Sequence, residues 1–165
     1  MSPQWSSLLT LLGLILLANG LPALLGLLMG AAKALDGGRT LADGRSLLGP
    51  SKTWRGLVAA LVGTTLGGSA LGLPWTLGLK VAVGAMLGDL AASFIKRRLR
   101  YPASASAPLL DQIPEALLPA LLVKAELALA WSDVVLVTLA FVVADLGLTP
   151  LGRRLFRGRS GTGRA

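Results

Sequence analysis

The sequence predicts an all-α fold, an integral membrane bundle of five transmembrane helices with a cytoplasm-facing polar cavity. Three observations predict it. Hydrophobic residues make up 53% of the 165 residues and charged residues only 15%, with a mean hydropathy of +0.69, outside the range of soluble globular domains. The apolar runs have the lengths of one or two bilayer crossings, each of which needs roughly 20 residues. The basic residues gather in alternate connections, 14 of the 16 falling in two loops and the C-terminal tail.

The spans are expected at about 5–31, 56–73, 75–95, 113–130 and 133–152, within a single membrane domain covering 1–165. Span one follows an uncharged N-terminus, and no Lys or Arg precedes it, so it lacks the basic leader of a cleaved signal peptide. Within it Asn19-Gly20-Leu21-Pro22 is expected to kink or break the helix, because proline removes a backbone donor. A polar, Gly-rich loop follows at 33–55. The next 40 residues, 56–95, divide at Leu73-Pro74-Trp75 into spans two and three. After a second polar loop at 96–112, the 40 residues from 113 to 152 divide at Trp131-Ser132-Asp133 into spans four and five, ahead of a tail at 153–165.

The loop 33–55 and the tail hold five basic residues each, and the loop 96–112 holds four. All three fall on one side of a five-span bundle. The positive-inside rule therefore puts them in the cytoplasm and the N-terminus outside, in the cell (inner) membrane. Gly26 and Gly30, Gly63 and Gly67, and Gly84 and Gly88 have the four-residue spacing that lets helix backbones approach closely in lipid, and packing is the reading favoured for them.

The chain has no Cys and no His, which excludes zinc, haem and iron–sulfur ligation and the commonest general base. Any metal must sit on oxygen ligands, which suit magnesium. The formal net charge of +8 does not signal nucleic acid, because aromatics are only 5% and apolar runs separate the basic residues; anionic headgroups or an anionic substrate suit them better.

Asp89 lies seven residues before Lys96 and so about 10 Å inside the cytoplasmic end of span three. An ionised carboxylate at that depth needs a cation or water, and such residues usually face a bundle interior or a wet cavity. Asp89, Ser93 and Lys96 share one helix face and would line one wall. The competing reading is a structural ion pair with Lys96 or a loop cation. Asp145, about 12 Å inside span five, has no supporting motif, and structural pairing is an equal reading for it. By spacing alone Asp111 reads as an N-cap, with Pro114 and Glu115 in the first turn of span four. Asp36-Gly37-Gly38 and Asp43-Gly44 read as ordinary turns. Gly49-Pro50-Ser51-Lys52-Thr53 lacks the spacing and the preceding strand of a P-loop, although Lys52, Thr53 and Arg55 stand where they could bind a phosphate or snorkel at the membrane boundary.

In order, Asn19-Gly20-Leu21-Pro22, Asp36-Gly37-Gly38, Asp43-Gly44-Arg45, Leu48-Gly49 through Lys52-Thr53-Trp54-Arg55-Gly56, Leu87-Gly88-Asp89, Ser93 through Arg98 and Leu110-Asp111-Gln112 form a set. The chain thereby resembles the CDP-archaeol synthase family, membrane cytidylyltransferases related to the CDP-diacylglycerol synthases. The resemblance implies transfer of CMP from CTP to a membrane lipid phosphate, with magnesium assisting. It implies Asp89, Lys96 and Asp111 as catalytic residues, with Asp89 and Asp111 as metal ligands. It further implies Lys52, Arg97, Asn19, Asp36, Asp43, Thr53, Arg55, Ser93, Arg98 and Gln112 as residues contacting CTP or lipid phosphate. The Lys-Asp pair and the His-Gly-Gly element that follow Ser-x-x-Lys-Arg in the larger CDP-diacylglycerol synthases are absent here. A non-enzymatic alternative is a small transporter or scaffold in which Asp89 and Asp145 are pathway or pairing residues.

Overall fold

A computed structural model describes residues 5–102, 105 and 107–157, with side chains as far as Leu148. Five helices follow in order: α1 Trp5–Met29, α2 Trp54–Ala70, α3 Trp75–Arg98, α4 Gln112–Leu122 and α5 Trp131–Arg157. The all-α, five-helix architecture is the one the sequence predicts. Among the described residues, β-pairing is limited to two isolated bridges, Ala34 with Thr53 and Thr40 with Ser46, which fold the first polar loop back on itself.

Helix α1 buries Leu8, Leu11, Leu14, Ile15 and Ala18, a stripe of three- and four-residue steps, and buries nothing beyond Ala18. Of the kink or break expected at Pro22, the break does not occur, since the helix continues to Met29. Its stop comes at Gly30, whose φ of +67° and N–H bond to the Gly26 carbonyl (3.1 Å) form a left-handed cap. Helix α2 starts at Thr53, whose Oγ1 accepts from the Gly56 N–H at 3.2 Å.

Two of the three glycine pairs do the packing expected of them. A Cβ on Gly84 would stand 2.6 Å from Pro119 Cα, and one on Gly88 would overlap the Pro114 carbonyl and lie 2.7 Å from the Glu115 nitrogen, so α3 and α4 touch backbone to backbone. Gly63 and Gly67 receive Leu21 and Leu17 of α1. Gly26 and Gly30 depart from the expectation, with nothing within 4 Å of a Cβ at either.

The fourth element is shorter than the span expected at 113–130. Eleven residues of helix, about 16 Å, end at Leu122, and turns follow to Ala128. In these turns Glu126 pairs with Lys80 of α3, and Lys124 sits 4.8 Å from the Trp131 ring centre. Helix α5 in turn extends beyond the expected boundary at 152, to Arg157, and residues 158–165 of the expected tail lie outside the described residues.

Helices α1, α3 and the Trp131–Leu148 stretch of α5 are long and apolar enough to cross a membrane, with mean hydropathies of 2.2, 1.5 and 1.8. Their outward faces expose Leu27, Leu28, Leu87, Leu139 and Val143, as suits contact with lipid tails. The apolar core joins Leu8, Leu11 and Ile15 to Val81, Ala120, Val134, Val137 and Phe141. All come from the first halves of α1, α3 and α5 or from α4, so one end of the bundle is closed. The other end is open.

Candidate active site

At that open end a cavity of about 950 Å³ is walled by α1 from Asn19 to Gly30, the loop through Lys52, α3 at Asp89, the start of α4 and α5 at Asp145. It exists because α1 buries no side chain after Ala18, and because Gly26 and Gly30 put no side chain into the space.

Lys52 of the first loop forms an ion pair with Asp89 on α3. Lys96, near the end of α3, bonds Asp111 Oδ1 at 2.7 Å and donates to the Ala105 carbonyl at 3.1 Å. Asp89 and Lys96 thus face the cavity together, as their shared helix face predicts. Asp111 is not the N-cap its spacing suggested: its backbone is already helical, and its Oδ2 accepts from the Ala107 N–H at 2.9 Å, in the turn before the helix. The attraction of Lys96 holds it there. Gln112 donates to Asp145 Oδ2 at 2.9 Å and accepts from the Leu109 N–H at 2.7 Å. Arg55 donates to the Leu25 and Gly30 carbonyls (3.3 and 2.6 Å), at the end of α1.

Of the residues singled out in the sequence, Asn19, Lys52, Thr53, Arg55, Asp89, Lys96, Asp111 and Gln112 line this cavity. Asp36, Asp43, Ser93, Arg97 and Arg98 do not. Asp36 is buried and accepts from the N–H groups of Gly38, Leu48 and Gly49 at 2.9 to 3.0 Å. Burial opposes its ionisation, but those three donors outweigh it and hold the carboxyl below its ordinary value. Asp43 accepts from the Arg45 N–H and from Arg98, and both lower its carboxyl. Arg98 also donates to the Ser46 carbonyl at 2.7 Å and lies 5.2 Å from the Phe94 ring centre, while Arg45 returns a 2.5 Å bond to the Arg98 carbonyl. Arg97 is buried and donates to the Pro102 carbonyl. Asp43, Arg45 and Arg98 clamp the first loop to the end of α3, and Asp36 folds that loop on itself, shaping the segment that carries Lys52.

Glu115 was missed as a site residue. Its side chain meets Asp89 across the glycine contact of α3 with α4, and it lines the cavity. A signal existed, since Glu115 lies four residues after Asp111 on the same helical face. Asp145 also lines the cavity, held by Gln112.

Four carboxyl groups, Asp89, Asp111, Glu115 and Asp145, therefore face one polar space without any nitrogen or sulfur ligand, and such a donor set fits magnesium. Among the described residues no three acidic groups are already gathered at ligand spacing.

The family model described as CarS-like, CDP-archaeol synthase, matches residues 7–75 and 70–155. The chain belongs to the CDP-archaeol synthase family. It is 44% identical over 104 residues to a CDP-archaeol synthase of Hyperthermus butylicus, covering 59% of this chain and 60% of that one. It is 41% identical over 105 residues to the CDP-archaeol synthase of Pyrococcus furiosus, covering 58% and 60%. The matched stretch thus spans about 60% of the length of these curated relatives. A solved structure, described as an intramembrane enzyme for archaeal membrane lipids biosynthesis, superimposes with a TM-score of 0.70 at 31% identity, over 85% of this chain and 90% of that one. Family membership and that likeness agree with a membrane-integral protein.

Proposed function

We propose that this chain transfers CMP from CTP to a membrane lipid phosphate, releasing pyrophosphate and leaving a CDP-activated lipid. The observation that carries this reading is the pair of Lys–Asp contacts, Lys52 with Asp89 and Lys96 with Asp111, both lining one cavity in a member of this family.

An oxygen of the lipid phosphate attacks the α-phosphorus of CTP, a new P–O bond forms, and the bond to the β-phosphate breaks, with its electron pair leaving on pyrophosphate. The attacking oxygen is already anionic near neutral pH, so the absence of histidine is no obstacle. What remains is alignment and charge stabilisation. Lys52, from the first loop, and Lys96, from α3, supply ammonium donors to the phosphates. Asn19, Thr53 and Arg55 border the same space and orient the nucleotide, and Gln112 keeps Asp145 turned toward it. Magnesium, when bound, would neutralise phosphate charge as the leaving group departs, held by Asp89 together with Asp111 or Glu115. The apolar surface of α1 and α5 beside the cavity suits lipid tails. The basic loops and the α5 end are read as cytoplasmic, where CTP is found, with the N-terminus outside.

The test is incubation of purified protein with labelled CTP, magnesium and either ether-linked or ester-linked lipid phosphates, measuring lipid-linked CMP. Product is expected, and Asp89→Asn abolishes it while the protein still folds. No product with either lipid, or near-normal turnover in Asp89→Asn, would overturn the proposal. A transporter or scaffold would leave CTP untouched.

A further inference from the structure

Both lysines that line the cavity are already committed to carboxylates. Lys52 crosses from the first loop to Asp89, and Lys96 crosses from α3 to Asp111. Side-chain exposures are 21% and 19% in the first pair and 10% and 18% in the second, so water solvates these charges only in part. The Lys80–Glu126 pair at the far end is 48% and 38% exposed, an ordinary surface pair.

The wall holds four acidic groups against three cations, and the third cation, Arg55, is turned to backbone carbonyls. A divalent cation arriving alone at Asp89 or Asp111 must displace the lysine from that carboxylate and leave the ammonium without a counter-ion. A triphosphate arriving alone must pull the lysines away and leave the carboxylates facing its own negative charge. Either event strands a charge in a half-desolvated wall, which is costly. When the two arrive together, each lysine exchanges a carboxylate for a phosphate oxygen and each carboxylate exchanges a lysine for the cation, and no charge is stranded.

We propose that Lys52 and Lys96 are internal counter-ions occupying the carboxylates in place of a metal, so that divalent cation and nucleotide triphosphate bind strongly only as a pair. This rests on the cytidylyltransferase reading and adds to it an obligatory coupling between its two soluble ligands.

The measurement is manganese binding to the full-length protein in detergent without nucleotide, read from the paramagnetic resonance signal of free Mn2+. Wild type is expected to bind the ion weakly. Lys52→Met frees Asp89 and should tighten binding by roughly 5- to 150-fold, the usual size of coupling between two sites. Lys52→Arg keeps the pair and should bind as weakly as wild type. Lys33→Met removes the same charge from an exposed residue of the same loop that makes no ion pair among the described residues, and should change nothing. CTP affinity, titrated with and without Mn2+, should show strong coupling in wild type and little in Lys52→Met. Equal manganese affinity in wild type and Lys52→Met, or an equal gain in Lys33→Met, would overturn the proposal. The CMP-transfer assay on the same preparations separates the two readings: turnover with no effect of Lys52 on manganese sinks only the counter-ion, while absence of turnover sinks the enzymatic reading.

Discussion

Gly88→Ala tests whether the α3–α4 contact builds the site. A methyl at this position lies 2.7 Å from the Glu115 nitrogen and overlaps the Pro114 carbonyl, against at least 3.4 Å for ordinary contact. Both obstacles are backbone, so no side-chain rotation relieves them, and α4 must retreat by at least about 0.7 Å, the difference between these two distances. Overpacking of this kind costs roughly 1–3 kcal/mol. The retreat carries Glu115 away from Asp89 and shifts Asp111 and Gln112 with it. Misplacement on the order of 1 Å in a reacting constellation lowers turnover by about 100-fold. Gly13→Ala is the control, a glycine of α1 away from the cavity with nothing within 4 Å. Thermal unfolding in detergent should show Gly88→Ala destabilised and Gly13→Ala no less stable than wild type, and CMP transfer should fall steeply in the first alone. A Gly88→Ala protein with wild-type melting and turnover would refute the claim that backbone contact places Glu115.

The loop clamp and the buried carboxyl of the first loop give two further expectations. Arg98→Lys cannot hold Asp43 and the Ser46 carbonyl at once, so the segment carrying Lys52 loosens; the KM for CTP should rise roughly tenfold, equivalent to about 1.4 kcal/mol, with kcat little changed, and an unchanged KM in steady-state kinetics would remove Arg98 as a positioning residue. Asp36→Asn leaves at least one of three backbone N–H groups without its acceptor, a loss of about 1–3 kcal/mol that should appear as faster proteolysis of the first loop. Because the folded Asp36 carboxyl titrates below its ordinary value, its contribution is complete above about pH 4 and disappears as pH falls through the lower folded value. Loop protection should therefore be flat from neutral pH to about 5 and decline below 4, and a decline beginning near neutrality would contradict this assignment.

Much of this protein is legible from local pattern. Apolar run length and turn residues gave five helices, and Asp89 and Lys96 reach one cavity because seven residues return a helix to the same face. The turns at Asp36 and Asp43 formed as their glycines indicate, with Gly37, Gly38 and Gly44 all at positive φ. Pattern misled where composition stood in for geometry. The apolar stretch after Leu122 reads as membrane helix but forms turns in which Glu126 pairs with Lys80 and Lys124 lies over the Trp131 ring, and Pro22 reads as a kink or break although the break does not occur.

The sequence alone therefore determined the class, the helix order and the end of the bundle at which cations collect, since hydropathy and charge act residue by residue along the chain. Only the tertiary structure decided which acids share the cavity and which cations frame it instead. Glu115 meets Asp89 because two glycines let α4 settle onto α3, while Arg98 turns outward to Asp43 because the first loop folds back across the end of α3. Both depend on approaches between segments distant in sequence, and no local spacing encodes them.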